Sequence, residues 1–596
     1  MKKTLSSIAV LIGLFFSTSL YAEANAHGFF ISLDALKPDH LKTLYLAGKL
    51  NAPQGLGWLY TQSFRAEETA SVFSTLTASS HAATSTCSYP DVNGIIANKY
   101  MKDGKKMFGF SADNAAETLL ETLKRQNRHI ISVSYVGVDG TSPRRSADAG
   151  ITYPDDKKTG SPQTVELNFA KLSRAEGWQV PEDLKKDLDQ AKESSLVLTL
   201  NPESNEVRQI FVFLSKPTLP QEQWKMFFDS DKNLANGSLG EFTMQSASTK
   251  LVFLTFKERT KSSSMHNYKR RFYIRLAGKT ASSATLYISR SGYNNAHPES
   301  YRRFLDDQDI VWPDLDGDPL QNLSPLDFVT LASTLDDFFV SVAEATMKKY
   351  RYDVLLFYQP LLDSLGHEFQ ATLPTPFSVS GGDEVTKAYV EAYRHIDRNI
   401  DTLLRLSAPK DIIALMGDHG MDSTYQTVNL ASLENPEDAE KTTIIPNGGV
   451  AFLYANTSDQ DSVKAADEAG ERLFKKLHNT KYKDQTVVMQ GDRKSLATPK
   501  PWFFGDAAWA FFAAPGVTFT YKPDKKSVLS EPPVQGSHGF LNTLPSMQTT
   551  FMIHAPNVKA QAIPKSNLIN AVPTFLNLLK LKAPRDCLGE TLPVQP

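Results

Sequence analysis

Four short apolar runs, Gly28 to Leu33, His129 to Val136, Asp353 to Tyr358 and Asp411 to Met416, constrain the fold of this chain more than any other feature. Each is apolar along most of its length and reads as a strand buried on both faces. Helical patterns stand between them at Ala112 to Arg125, Asp327 to Lys349 and Val385 to Leu406. This alternation predicts an α/β fold, a mostly parallel central sheet flanked by helices. In such sheets reactive groups gather just beyond the carboxyl ends of the strands. Asp34, Asp363 and Asp418 lie at or just past those ends.

The stretch from about 155 to 305 breaks this rhythm. Ser195 to Leu200 and Val207 to Leu214 flank the turn-forming Asn201-Pro-Glu-Ser-Asn-Glu206, and Arg271 to Leu276 and Ala284 to Ser289 also alternate. The expected organisation is therefore a core in two pieces, 27–154 and 306–596, with a β-rich insertion at 155–305. A chain of 596 residues is long enough for this division.

Residues 1–22 have the layout of a secretory signal peptide: Lys2 and Lys3, an apolar run from Ile8 to Phe16, and small or neutral residues up to Ala22, with Ala26 as an alternative cut. That run is too short to cross a bilayer, which takes roughly 20 apolar residues, and no later stretch supplies them. The reading is a periplasmic or secreted protein without a transmembrane segment in the mature chain. Its two cysteines, Cys87 and Cys587, are then in an oxidising compartment, either bridged or as two buried thiols. With 64 basic and 66 acidic residues the net charge is −2, which gives no long-range field for a stable nucleic-acid partner. Lys269-Arg270-Arg271 reads as the exposed face of a strand rather than a basic patch.

Acids and histidines with metal-ligand spacing occur in Leu33-Asp34-Ala35, Asp363-Ser-Leu-Gly-His367, Gly417-Asp418-His419-Gly420-Met421 and Gly536-Ser-His538-Gly539. Three carboxylates and three imidazoles suffice for two divalent ions, and zinc is the usual occupant of mixed His/Asp ligation. Two such ions can stabilise the entering and departing oxygens of a displacement at phosphorus. Leu76-Thr77-Ala78-Ser79-Ser80-His81 precedes small residues compatible with the first turns of a helix. There a hydroxyl meets free N–H groups and the positive end of the dipole. On local sequence alone the favoured reading is that Ser79 or Thr77 simply caps the helix.

This ordered set resembles the alkaline phosphatase superfamily, most closely its nucleotide pyrophosphatase/phosphodiesterase branch, over roughly residues 28 to 150 and 340 to 590. Asp363-Ser-Leu-Gly-His367 is similar to the branch's Asp-Ser-x-Gly-His loop, Asp418-His419-Gly420-Met421 to its Asp-His-Gly-Met motif, and Gly536-Ser-His538-Gly539-Phe540 to its Gly-x-His-Gly-aromatic element. The resemblance implies one metal on Asp363, His367 and His538, and a second on Asp34, Asp418, His419 and the hydroxyl of Thr77. It makes Thr77 the nucleophile of a phospho-threonyl route. It also makes Asn98, after Gly94-Ile95, the donor to a non-bridging phosphoryl oxygen, with the Ala78 N–H beside it. The sequence departs from the branch where Ala78-Ser79-Ser80 replaces the frequent Phe-Pro-Asn and where Ala35 replaces Gly.

The implied substrate is a small phosphodiester or nucleotide. A sulfatase would need Cys/Ser-x-Pro-x-Arg, and Cys87-Ser88-Tyr89-Pro90 has its proline one place late. Phosphomonoester and phosphonate hydrolysis use the same core, although a neutral donor such as Asn98 suits a diester better than a dianion. A non-catalytic binding protein on this scaffold is the remaining alternative, and the complete ligand set argues against it.

Overall fold

The run Gly28–Leu33 forms a strand that is buried throughout and lies fifth of nine in the central sheet. In chain order the nine strands are β1 (Gly28–Leu33), β2 (Phe64–Ala70), β3 (Ile130–Val133), β4 (Ala149–Thr152), β5 (Asn295–His297), β6 (Val354–Gln359), β7 (Ile412–Met416), β8 (Thr549–His554) and β9 (Gln561–Asn567). Across the sheet the order is β5-β4-β3-β6-β1-β7-β8-β2-β9. The structure is a computed structural model and describes residues 26–215, 224–258, 268–315, 320, 322–479, 489–492 and 504–594. The expected leader, residues 1–22, lies outside them.

The sheet is mixed, which corrects the expectation of a mostly parallel one. Strands β4, β3, β6, β1 and β7 run parallel. Strand β5 is antiparallel to β4, and β8 is antiparallel to both β7 and β2. The parallel block holds the continuous apolar runs because both its faces are covered. Strand β2, Phe-Arg-Ala-Glu-Glu-Thr-Ala, alternates covered and open positions and offers no such run.

Helices α1 (Thr77–Thr86), α2 (Pro325–Lys349), α3 (Leu361–Phe369), α4 (Glu384–Leu404) and α5 (Ala571–Leu578) flank the sheet. Their boundaries follow local chemistry. The N–H of Asp327 donates to Ser324 Oγ to start α2, with Pro325 in the first turn, and the N–H of Thr386 donates to Asp383 Oδ1 to start α4. Phe29, Ile31 and Leu33 pack with α2 and α4, while Phe30 faces Phe575 of α5 on the other side. The helix expected from Ala112 is confined to Leu119–Arg125, because Thr118 and Glu121 form a capping box that starts it there.

The chain leaves the central sheet at Thr152 and re-enters it at Asn295, two positions that pair directly. Between them lie two antiparallel sheets, one of five strands from Ser173 to Thr243 and one of four that includes Gln163–Asn168 and Lys269–Lys279. Leu198, Ile210, Phe228, Leu254, Ile274 and Leu286 fill the space between them, as in a sandwich. The expected exposed face of Lys269-Arg270-Arg271 is corrected here. Arg270 is 1% exposed, its Nε donates to Glu258 Oε2 at 2.7 Å, and its guanidinium lies 4.3 Å from the centre of the Tyr293 ring. The nearby segment around Gly292 bridges to Arg271 and covers this end of the strand, so the charge is buried as a pair.

Cys87 and Cys587 form a disulfide, which ties the end of α1 to the C-terminal tail. Among the described residues no helix is long and apolar enough to cross a membrane.

Candidate active site

Three neighbouring strands deliver the acids. Strands β6, β1 and β7 are adjacent and parallel, with Leu33 opposite Gln359 and Ser32 opposite Met416, so the chain leaves all three at one edge of the sheet. Asp34 follows β1 immediately, and Asp418-His419 follow β7 after one glycine. Beyond β6 the chain turns into α3, whose first turn carries Asp363, and His367 lies one helical turn later on the same face. His538 comes from the far C-terminal part, just after Gly536–Ser537, which pairs with Asp422 and Ser423. Gly539 has φ +87 and donates its N–H to Thr75 O, a conformation that suits glycine.

The six side chains form two abutting groups. Ligand atoms of Asp34, Asp418 and His419 lie within 4.8 Å of one another, and so do those of Asp363, His419 and His538. His419 Nε2 is 3.3 Å from Asp34 Oδ1 and 3.4 Å from Asp418 Oδ2. Its ring stacks on that of His538 at 3.8 Å between centres. His367 sits at the rim, with Nε2 3.4 Å from Asp363 Oδ2. All predicted ligands therefore converge, and His419 is shared between groups that the sequence separated.

The imidazoles are oriented by the backbone. Nδ1 of His367 contacts Gly536 O, that of His419 contacts Gly420 O, and that of His538 contacts Thr75 O, at 2.7, 2.9 and 3.0 Å. A carbonyl can only accept, so Nδ1 carries a proton in each ring and Nε2 is turned towards the acids. Each carboxylate leaves one oxygen over: Asp34 Oδ1, Asp363 Oδ1 and Asp418 Oδ2 are buried without a hydrogen bond. Burial, then the charges of Asp418 and Asp363, push the Asp34 carboxyl well above the ordinary carboxylate range. Burial and the neighbouring His419 hold His538 well below the usual imidazole range, whereas Asp363 outweighs burial at His367 and lifts it to about 9. Buried like charges beside inward lone pairs form a cradle that fits divalent cations.

Thr77 opens α1 and is not its cap. The cap position is Leu76, which makes no side-chain cap bond, and Ser79 Oγ donates to Ser74 O at 2.6 Å. Thr77 Oγ is thus free to face the acids and histidines, 3.1 Å from His419 Nε2. The expectation for Ala78 is corrected: its N–H donates to Asn98 Oδ1 at 2.9 Å and is not open to a ligand. That bond holds the carbonyl end of the Asn98 amide and leaves the NH2 end as the donor.

Two contributors had no role in the sequence reading, although His81 was noted there four residues after Thr77. Tyr358, next to the last residue of β6, donates its hydroxyl to Asp34 Oδ2. His81, 1% exposed, contacts Thr77 O through Nδ1 at 2.8 Å and Ser32 Oγ through Nε2 at 2.9 Å, and its Nδ1 is 3.5 Å from Asp418 Oδ2. The spacing of His81 from Thr77, one helical turn, was the available signal for it. Tyr358 gave none, because an aromatic residue ending an apolar strand reads as core.

A protein-family model described as type I phosphodiesterase / nucleotide pyrophosphatase matches residues 29–228 and 233–541, stretches that together contain every residue of this site. Among solved structures, human ectonucleotide pyrophosphatase/phosphodiesterase 5 aligns with 12% identity and a TM-score of 0.49, covering 94% of this chain and 96% of that chain. The murine protein aligns with the same identity and coverage at a TM-score of 0.48, and an inactive variant of it in complex with AMP at 0.47. No curated protein matches the sequence.

Proposed function

The chain belongs to the type I phosphodiesterase / nucleotide pyrophosphatase family, and we propose that it is an exported hydrolase of phosphoric diester or phosphoanhydride bonds acting through a covalent intermediate on Thr77. The observation that carries this reading is the cradle of three orphaned carboxylate oxygens and three backbone-oriented imidazoles beside a buried hydroxyl.

Asp363, His367 and His538 would hold one divalent cation. Asp34, Asp418 and His419, with Thr77 Oγ, would hold the other, and zinc suits this donor set. Such a pair, when bound, supplies Lewis acidity for charge on the entering and departing oxygens. Thr77 Oγ gives up its proton to solvent and forms the new bond to phosphorus as the bond to the leaving oxygen breaks, and the leaving oxygen takes a proton from solvent. Water then attacks the phosphorus and releases a proton as the bond to Thr77 Oγ breaks, and Oγ takes up a proton to restore the hydroxyl. Asn98 steadies a non-bridging oxygen through its NH2 group, with the amide held by Ala78. A neutral donor in that place favours the singly charged diester over a dianionic monoester. His81 and Tyr358 hold the first turn of α1 and the acids in register.

Export is part of the proposal. The leader-like residues 1–22 and the Cys87–Cys587 bridge both suit a periplasmic or extracellular compartment. The test is hydrolysis of bis(p-nitrophenyl) phosphate and p-nitrophenyl phosphate with and without a chelator. The expected outcome is diester turnover that is lost on chelation and restored by zinc. A strong monoester preference would overturn the diesterase reading, and no metal-dependent turnover of either substrate would overturn the enzyme.

A further inference from the structure

The edge of the central sheet away from the acids carries a cavity of about 650 Å³, within the size range of small-molecule sites. It lies where β6 and β7 begin, at Val354 and Ile412, and just past the end of the antiparallel β8, at Ala555. The length of a strand, roughly 17 Å, separates this edge from the one that bears Asp34 and Asp418. Gly28 starts β1 between β6 and β7. A Cβ there would lie 2.5 Å from Phe575 Cζ and 2.9 Å from Leu579 Cδ1, so the glycine lets the end of α5 close over the strand ends.

The apolar lining, Val354, Ile412, Ala555, Leu578, Leu579 and Leu581, continues the hydrophobic cluster around Phe30 and Phe575. The charged lining is Arg128, Lys410 and Lys580, against one acid, Asp353, whose Oδ2 already accepts the His129 N–H at 2.8 Å. Arg128 Nε is buried without a hydrogen bond, and among the described residues neither Arg128 nor Lys580 makes an ion pair. Lys580 takes the left-handed conformation just after α5, with φ +58; its N–H donates to Asn577 O and that of Leu581 to Leu576 O. A helix end of this kind usually takes glycine. A cation therefore stands at the cavity where the backbone favours no side chain.

We propose that this cavity binds an amphiphilic anion, an aliphatic chain with a carboxylate or phosphate head, the chain on the leucines and strand ends and the head on Arg128, Lys410 and Lys580. A purely polar anion would leave the apolar lining wet, and an uncharged chain would leave the cations without a counter-charge. No aromatic ring lines the cavity, so a stacking ligand gains nothing over an aliphatic one. The site is independent of the chemistry at Thr77, and its failure would leave the hydrolase reading untouched.

Calorimetric titration of the native protein with decanoate, decyl phosphate, decanol and inorganic phosphate, each below any micelle concentration, tests this. One equivalent of decanoate or decyl phosphate should bind at least about 10-fold more tightly than decanol or phosphate, which lack the head or the chain. Either head upholds the site, and the tighter one names the source. Arg128→Gln combined with Lys580→Gln should weaken the preferred anion at least about 5-fold and leave decanol within about 2-fold. Arg128→Lys, which keeps the charge, should bind within about 3-fold of the native protein, which separates loss of charge from a folding defect. Decanol bound as tightly as both anions, no binding of either anion, or affinity unchanged in the double variant would overturn the proposal.

Discussion

The two acid–histidine groups differ in depth. Side chains of Asp34, Asp418 and His419 are 2, 0 and 0% exposed, against 18% for Asp363, 29% for His367 and 8% for His538. The deep group stands on the ends of β1 and β7, so its geometry is set by the sheet, and the Thr77 hydroxyl points into it. The shallow group is assembled from the first turns of α3 and a C-terminal loop, and it opens to solvent. Under the proposed mechanism this difference would divide the labour: the deep half would position the nucleophile, and the open half would meet the leaving group and the water that replaces it. His419, shared by both triads, couples the halves.

The comparison breaks most sharply at the hydroxyl. Thr77→Ala should lower turnover at least about 10³-fold while metal content by elemental analysis stays unchanged, because the carboxylates and imidazoles remain. Retained activity would remove Thr77 from the nucleophile's role. Next come the ligands. His419→Ala should empty both groups, whereas His367→Ala should lose about half the metal and lower the rate about 10- to 100-fold. Equal metal loss in the two variants would abolish the distinction between the halves.

A smaller effect concerns the supports of the deep half. Tyr358→Phe removes the hydroxyl on Asp34 and His81→Ala removes the contact with Thr77 O. Each should lower kcat about 10-fold with little change in KM. A matching rise in KM would point to general loosening of the site. Outside the site, Arg270→Ala leaves Glu258 buried without its partner and should cost the sandwich about 3–5 kcal/mol in denaturant unfolding, with kcat/KM unaltered.

Asp336 sharpens the contrast at the smallest scale. It is a buried carboxyl whose two oxygens have no hydrogen bond, and burial, with the charge of Asp337, pushes it well above the usual range. Asp34 shares the burial but stands among other acids and imidazoles. At Asp336 burial and the charge of Asp337 both favour the protonated form in the fold. An unfolded Asp loses its proton near about pH 4. Above that pH the folded form binds the extra proton, so this residue's contribution to stability falls as pH rises. The advantage of Asp336→Asn in unfolding free energy should therefore be larger at pH 8 than at pH 5.

The parallel block and its acidic strand ends were legible because a strand covered on both faces leaves an unbroken apolar run, as in Gly28–Leu33 and Ile412–Met416. The antiparallel flank was not, since Phe64–Ala70 mixes charge with apolar residues on a half-covered strand. The sequence singled out all six acids and histidines that the fold brings together, Asp363/His367 and Asp418/His419 by their short spacing and Asp34 and His538 by their strand-end and glycine contexts. Their arrangement is tertiary: the sharing of His419 and the commitment of the Ala78 N–H to Asn98 depend on loops that meet only after folding. The burial of Arg270 was hidden for the same reason, as Glu258 and Tyr293 reach it from separate segments.

The most direct test of the central claim is the divalent metal content of the purified native protein, measured by elemental analysis after zinc loading and exhaustive dialysis. The account predicts two ions per chain, falling to about one in His367→Ala. A native protein that retains none, with Asp34, Asp418 and His419 intact, would contradict it.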